Sequence, residues 1–379
     1  MSPRLRVARA RLTRARILIR RLHLWLGLSV GALFVLLGLT GSALVFYVEI
    51  DNLLHPEAQV AASAPPPGWQ SPVWDRALAT GRARFRDAAG RWSFEATDVG
   101  GAIPARFYPS VTPTGHHGAP RTMVWFSADG TRILRTAPWG GYLMSWLYEL
   151  HMQILMADTG RQIVGWSGVA MLVLLASGII AWWPRGPWAK ALAFKRHAAP
   201  IRRLRDLHKL SGLASAGLLA LLVATGILLA LDDVKAWMLA PPPVPAPHSV
   251  ATGGAPISIA TALSAAHRAV PDSRLAFVDV TGAGDVPIRV RITLPGDPHR
   301  RFPGSYVFVD RFSGRVLAVH DGRRAGVVAL WMRSIHDGSI GGLATRILAV
   351  LLGFVPLALF VTGWLHWRRR RRAAPPHSC

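Results

Sequence analysis

The sequence of 379 residues contains little cysteine and few acidic residues. Its only cysteine, Cys379, excludes disulfides within the chain, iron–sulfur clusters held by thiolates and CxxCH haem attachment. The 20 acidic residues are outnumbered by 44 Lys and Arg, so the formal net charge is +24. Such a charge is typical of nucleic-acid-binding proteins, and the positions of the basic residues decide what it indicates.

The basic residues are concentrated in three short segments. Residues 1–22 hold eight Arg and no acid, residues 184–209 hold eight Lys or Arg and one Asp, and five Arg follow Trp367. Each segment borders an apolar run, and positive residues gather on the cytoplasmic side of membrane spans. The charge therefore predicts cytoplasmic termini, with no nucleic acid as a partner.

Four apolar runs are each long enough, at about 20 residues or more, to cross a hydrocarbon core as a helix. The loops between them alternate apolar and polar residues around Gly and Asp-Gly turns, which is typical of paired strands. We therefore predict a mainly α multi-pass protein of the bacterial inner (plasma) membrane with α+β outer modules. The predicted order is a cytoplasmic basic N-terminus (1–21), transmembrane helix 1 (22–50), periplasmic module 1 (51–145), transmembrane helix 2 with an outer extension (146–183), a cytoplasmic basic loop (184–207), transmembrane helix 3 (208–232), periplasmic module 2 (233–330), transmembrane helix 4 with an outer extension (331–367) and a cytoplasmic tail (368–379).

Residues recur at a constant spacing of 185, which indicates an internal duplication. His23 pairs with His208 and His151 with His336, and matching Arg, Gly and Trp pairs occur in both halves. Each half has two spans, so both copies enter the membrane in the same direction. This predicts a tandem two-span repeat with pseudo-twofold symmetry about the membrane normal.

The paired histidines are candidate ligands for two b-type haems. Neutral imidazoles on facing helices of a bundle are common axial ligands of haem iron that is held without covalent attachment. Symmetry places His23 and His208 near the cytoplasmic face, and His151 and His336 near the outer face. His151 precedes the apolar core of its span by twelve residues, about 18 Å of helix, so we expect a helix break to fold it back.

Other repeated residues are candidates for contacts with the haem. Gly27 and Gly212 follow a histidine by four residues and are predicted to leave room for a flat ring. Arg20 and Arg205 precede the same histidines by three residues and are candidate partners of haem propionates. Arg161 and Arg346 are the candidates on the outer side, and His366 is an alternative ligand on the cytoplasmic side.

Structural interpretations of these residues stay open beside the haem interpretation. A histidine at a membrane interface can serve as a hydrogen-bonded packing residue, glycines at four-residue spacing pack helices, and flanking arginines set topology. Duplication copies structural residues as well as ligands. The histidines therefore define a hypothesis rather than a cofactor.

The ordered set of motifs resembles the PepSY-associated transmembrane proteins. The features that carry this resemblance are the four-span layout, LHLWLGLSVGALFVLLGLTGSAL in the first span, the LH and IH before the second and fourth spans, and the turn FVDRFSGRVL. The resemblance implies two PepSY-like periplasmic domains, and it matches the four paired histidines with recurrent histidines of that family. Some members are haem-containing reductases of ferric siderophores, so it also implies a ferric siderophore or other ferric chelate as substrate.

The electron donor is not encoded in the chain. No GxGxxG follows a predicted strand, and the loop at 184–209 is too short for a flavin domain. A quinol or a separate cytoplasmic donor would have to supply electrons. Two alternatives remain open, namely a haem-free PepSY-type binding or regulatory protein and a siderophore transport component.

Overall fold

The computed structural model describes residues 3–58, 65–97, 99–110, 120–184, 186–250, 254–282, 284–299 and 301–373. Cys379 and the end of the predicted cytoplasmic tail lie outside the described residues. The chain divides into two compact units. We call Met1–Val45, Leu150–Asp232 and Ile335–Cys379 the helical unit, and Phe46–Glu149 and Asp233–Ser334 the sheet unit.

Within the described residues, eleven α-helices form. Four of them contain segments long and apolar enough to span a membrane, namely Arg14–Leu44, Ala157–Trp182, Pro200–Ala230 and Ser339–Arg372. The prediction of a multi-pass membrane protein is therefore supported. The helices are α1 (Pro3–Leu44), α2 (Tyr47–Leu54), α3 (Val73–Arg84), α4 (Leu143–Gln153), α5 (Ala157–Trp182), α6 (Trp188–Leu192), α7 (Pro200–Ala230), α8 (Asp232–Leu239), α9 (Ile259–Ala269), α10 (Val327–His336) and α11 (Gly342–Ala373).

The helix bounds differ from the predicted ones at two places. The first long helix runs through the basic N-terminal segment and ends at Leu44, so residues 47–50 belong to α2. The predicted second span is two helices, because α4 ends at Gln153 and α5 begins at Ala157. Basic side chains do not interrupt α1 because Arg has a high helix propensity.

The four long helices of the helical unit form a ring. The helix α1 packs against α5 and α11, and α7 packs against the same two helices. Consequently α1 and α7 face each other across the centre of the bundle. Small residues allow close approach at one contact, where the Gly38 carbonyl oxygen lies 2.3 Å from the position of a Cβ on Gly353.

The sheet unit contains one continuous antiparallel sheet of eight strands within the described residues. The strand order is β4-β3-β2-β1-β5-β6-β7-β8, and β1 of the first half pairs with β5 of the second. The two outer modules predicted from the sequence therefore share a single sheet. The strands are β1 (Arg91–Glu95), β2 (Ile103–Tyr108), β3 (Thr122–Phe126), β4 (Ile133–Pro138), β5 (Arg274–Thr281), β6 (Ile288–Thr293), β7 (Ser305–Val309) and β8 (Val316–His320).

One face of this sheet forms the core with α3 and α9. Alternate residues of each strand point to this face, so Trp92 and Phe94 of β1 and Val278 of β5 are buried there. Burial of each large apolar side chain stabilises the fold by about 1.5–3 kcal/mol. The first turn of α9 is also joined to α3, because Asp75 accepts hydrogen bonds from the backbone N–H groups of Ile259 (2.6 Å) and Ala260 (3.1 Å).

The opposite face of the sheet carries charged residues in buried positions. Glu95 of β1 accepts hydrogen bonds from Arg301 (2.6 Å) and Arg106 (3.1 Å). Burial alone would raise the pKa of Glu95, but the guanidinium groups of Arg301 and Arg106 outweigh it and hold the pKa below its ordinary value. The ion pairs therefore keep a buried carboxylate charged.

We predict that Glu95→Gln destabilises the sheet unit by about 3 kcal/mol, because it leaves two arginines without their carboxylate. A carboxyl group with a lowered folded pKa stabilises the fold above its unfolded pKa, about 4.3, and this contribution is lost as pH falls through the folded value. Thermal unfolding of the detergent-solubilised chain between pH 7 and pH 3 measures both effects. The exposed Glu57→Gln variant is the control, and equal stability of the two variants would contradict the prediction.

Candidate functional site

The histidines His23 and His208 lie on opposite helices of the ring and are held in the same way. The Nδ1 atom of His23 on α1 lies 3.1 Å from the carbonyl oxygen of Leu174 on α5. The Nδ1 atom of His208 on α7 lies 3.0 Å from the carbonyl oxygen of Leu359 on α11. The two imidazole ring centres are 6.2 Å apart. We call these two residues the inner pair.

The histidines His151 and His336 form a second pair with the same construction. The Nδ1 atom of His151 lies 3.0 Å from the carbonyl oxygen of Leu37 on α1. The Nδ1 atom of His336 lies 2.9 Å from the carbonyl oxygen of Leu222 on α7. Their ring centres are also 6.2 Å apart. We call these residues the outer pair, and every contact in it has an equivalent 185 residues away.

The hydrogen bonds to Nδ1 determine the tautomer of all four imidazoles. A carbonyl oxygen only accepts, so Nδ1 must carry the proton, and the lone pair of the neutral ring is then on Nε2. A hydroxyl beside each Nδ1 donates its own proton to a carbonyl of its helix and so acts as a second acceptor. These hydroxyls belong to Ser177, Thr362, Thr40 and Thr225, at 3.1–3.3 Å from Nδ1.

Each pair has the spacing that axial ligation of one metal ion requires. A metal–imidazole bond is about 2.0 Å, and the ring centre lies about 1 Å beyond the nitrogen, so two ligands on opposite sides have ring centres about 6 Å apart. Among the described residues, no three His, Cys, Asp or Glu side chains come together as a metal site. A b-type haem needs only two protein ligands, and the pairs supply two Nε2 lone pairs each.

Glycines make room for all four rings. A Cβ on Gly178 would lie 2.9 Å from the Cε1 atom of His23, and a Cβ on Gly363 would lie 3.3 Å from that of His208. The outer pair has the same arrangement with Gly41 and Gly226, each at 2.8 Å. The rings therefore lie directly against the backbone of the helices that hold them.

A break in the chain brings His151 back to the level of α1. Between α4 and α5, Ile154, Leu155 and Ala157 adopt positive φ values of 41°, 60° and 48°. Such values are rare for residues with a Cβ, and each costs about 1–3 kcal/mol. In the second half, the break after His336 uses glycines at 338 and 342 with φ of 74° and 66°. The expected helix breaks are therefore present, by two different means.

The other predicted site residues lie at some distance from the imidazoles. Gly27 and Gly212 face Leu174 and Leu359, where an added Cβ would lie 3.8 Å and 3.4 Å from the nearest atom. They make ordinary packing contacts with the same residues whose carbonyls hold the inner pair. Their predicted contact with a haem stays a prediction.

The candidate arginines differ between the two sides. Arg20 and Arg205 are exposed, and Arg205 lies 3.9 Å from the buried carboxylate of Asp206. Arg161 is buried and donates to the Leu229 carbonyl (3.1 Å) and to Asp232 (3.1 Å) near the end of α7. Its equivalent, Arg346, donates to the Val45 carbonyl (2.7 Å) just after α1. Both cap the C-terminal end of a span, which is a structural role.

Several residues of this site are not evident as site residues in the sequence. The hydroxyl groups beside Nδ1 and the glycines at 178 and 363 lie far along the chain from the histidines that they contact. Their signal is the repeat itself, because Gly178 and Gly363 are spaced by 185 residues, as are Thr40 and Thr225. The nitrogen of His366 lies 3.3 Å from the Ile201 carbonyl oxygen, on a different helix contact from the two pairs.

These features define a class of multi-pass membrane protein, in which a four-helix bundle holds two histidine pairs and carries a strand-rich unit. The family model of the PepSY-associated TM region matches residues 20–370. The chain belongs to this family. A search of curated proteins finds no significant match.

We predict that Gly226→Ala destabilises the bundle by about 1–3 kcal/mol, because the new Cβ overlaps the His336 ring, which is held by its Nδ1 hydrogen bond. Gly217→Ala on the same helix is the matched control, because nothing lies within 4 Å of its Cβ position. That control is expected to be neutral or slightly stabilising. Thermal unfolding in detergent measures both, and equal midpoints would show that His336 is not fixed against α7.

Proposed function

We propose that the chain is a b-type dihaem electron-transfer protein of the bacterial inner membrane that reduces a ferric siderophore or another ferric chelate on the periplasmic side. The observation that carries this proposal is the pair of imidazole pairs, each with ring centres 6.2 Å apart and Nδ1 bonded to a carbonyl. The ferric substrate follows from family membership and not from the site.

The residues have distinct roles in this proposal. His23 and His208 would hold one haem, and His151 and His336 the other, each through Nε2. A b-type haem at each pair would supply one-electron transfer. The Nδ1 hydrogen bonds orient the four rings and raise their basicity as ligands. Arg20 and Arg205 remain the proposed partners of the inner propionates. On the outer side Arg161 and Arg346 already bind backbone carbonyls, so the proposal does not assign them to propionates.

The two pairs lie at different depths of the bundle. His23 is on α1, and the outer pair is held by Leu37 of the same helix, which is 14 residues further along. At 1.5 Å per residue, this spacing corresponds to about 21 Å along the helix. A hydrocarbon core is about 30 Å thick, so the two levels cover most of its thickness. Two centres at these levels suit electron transfer across the membrane.

The direction of transfer follows from the charge distribution. The basic segments next to the inner pair favour a cytoplasmic location for that side and for both termini. A quinol or a separate cytoplasmic donor would then give one electron at a time at the inner pair. The ferric ion of the chelate accepts the electron on the outer side and becomes ferrous. The lipid membrane is the second partner of the helical unit.

We predict two b haems per chain in the purified protein, and one each in His208→Ala and His336→Ala. Each substitution removes one axial ligand of a different pair. Absorption spectra of the oxidised and dithionite-reduced protein, with a pyridine haemochrome count, measure the content. His267→Ala in the sheet unit is the control and is expected to keep both haems.

Two outcomes would change the proposal. If haem is absent from well-folded protein made with haem available, the electron-transfer proposal fails and a haem-free binding or regulatory protein, or a transport component, takes its place. If His366→Ala loses a haem while His208→Ala keeps both, His366 is the inner ligand. Anaerobic mixing of the reduced wild type with a ferric chelate then tests the reductase activity, which His336→Ala should abolish.

A further inference from the structure

A cluster of arginines and aromatic rings lies on the face of the sheet opposite to α3 and α9. Its position follows from the strand register, because Glu95 pairs with Phe277, Phe277 with Arg291, and Arg291 with Tyr306. These four side chains form one row across four neighbouring strands. The arginine–aromatic cluster consists of Arg106, Arg289, Arg291, Arg301 and Arg333 with Phe277, Phe302 and Tyr306.

The positive charge of the cluster exceeds its negative charge. Glu95 takes hydrogen bonds from both Arg106 and Arg301, and Asp279 takes two from Arg289 at 2.8 Å and 2.5 Å. Burial alone would raise the pKa of Asp279, but the adjacent guanidinium of Arg289 outweighs it and holds the pKa below its ordinary value. Five guanidinium groups are therefore balanced by two carboxylates.

Two arginines of the cluster form no ion pair within the part of the chain that the structure describes. Arg291 donates to the Tyr306 hydroxyl at 3.0 Å, and its guanidinium carbon lies 5.3 Å from the Phe277 ring centre. Arg333 on α10 lies over the Phe302 ring at 4.4 Å. Stacking on a ring leaves the edge of a guanidinium group available to bind an oxygen anion. Both groups are half-buried, so solvent screens them less than it would at a fully exposed site.

We propose that the arginine–aromatic cluster binds the substrate, and that this substrate is a polyanionic chelate with aromatic ligand groups, such as a tris-catecholate. This inference rests on the proposed function and adds the substrate class to it. Catecholate oxygens match the guanidinium edges, and catechol rings match the faces of Phe277 and Phe302. A trihydroxamate complex offers neither the negative charge nor the rings.

The cluster is preorganised for this task by its own carboxylates. Glu95 and Asp279 are buried and hold three arginines in fixed positions, which lowers the entropy lost when a ligand binds. Arg333 also precedes His336 by three residues on α10. The same helix therefore carries a proposed substrate ligand and a proposed haem ligand.

The test uses redox-inert gallium(III) chelates, so that binding is measured without electron transfer. Isothermal titration of the full chain in zwitterionic nanodiscs compares gallium tris-catecholate, gallium citrate and a gallium trihydroxamate. We expect the tris-catecholate to bind at least about tenfold more tightly than the trihydroxamate, with citrate between them because it has charge and no rings. Affinity for the tris-catecholate should fall as salt rises.

Substitutions locate the site. Arg291→Gln and Arg333→Gln are each expected to weaken tris-catecholate binding about tenfold, since each removes a charge-assisted hydrogen bond. Arg333→Gln lies on a helix surface and serves as the second variant if Arg291→Gln disturbs the sheet. Arg268→Gln is the matched control, because Arg268 is exposed on α9 at the other face of the same sheet.

Each outcome separates this inference from the proposed function. If the tris-catecholate binds no more tightly than the trihydroxamate, or if both substitutions leave its affinity unchanged, the inference is wrong even in a protein with two haems. If haem is absent and tris-catecholate binding still depends on Arg291 and Arg333, the cluster is a chelate site and the electron-transfer proposal alone fails.

Discussion

The helical unit depends on one interaction made four times, the hydrogen bond from a histidine Nδ1–H to a backbone carbonyl of a neighbouring helix. This bond sets the tautomer, directs Nε2 into the bundle and requires glycine where the ring meets the backbone. A carbonyl inside a helix already accepts one hydrogen bond, so its second lone pair makes the contact. Positions on two helices must therefore match, which links α1 with α5 and α7 with α11.

The arrangement is reciprocal within each half of the chain. In the first half, α5 holds His23 of α1, and α1 holds His151, which precedes α5. In the second half, α11 holds His208 of α7, and α7 holds His336. A shift of one helix along its neighbour would break both contacts at once. This coupling explains why the left-handed residues between α4 and α5 are retained despite their strain, since without the break His151 would not reach Leu37.

The sequence allowed correct prediction of the four spans, the outer strands and α3 and α9, because these depend on local apolar length and on alternation. The 185-residue spacing also selected the four histidines that the structure brings together in pairs. It did not reveal the hydroxyls and glycines at 177, 178, 362 and 363, because their contacts depend on how helices pack. Pairing of β1 with β5 was also missed, since no local pattern encodes which strand edges meet. For Arg161 and Arg346, the sequence indicated the outer rim and left open the carbonyls that they bind.

The central position of β1 and β5 has a consequence for the origin of the chain. A polypeptide of half this length would expose the edge of β1 and would lack the helices that α1 and α5 pack against in the second half. Two such polypeptides would restore the sheet by pairing their β1 edges, and each would contribute one histidine to both pairs. The present chain therefore has the architecture of a fused homodimer, and fusion has allowed each half to change independently. The arginines at 289, 291 and 333 are such changes, because the equivalent positions in the first half are Pro104, Arg106 and Tyr148.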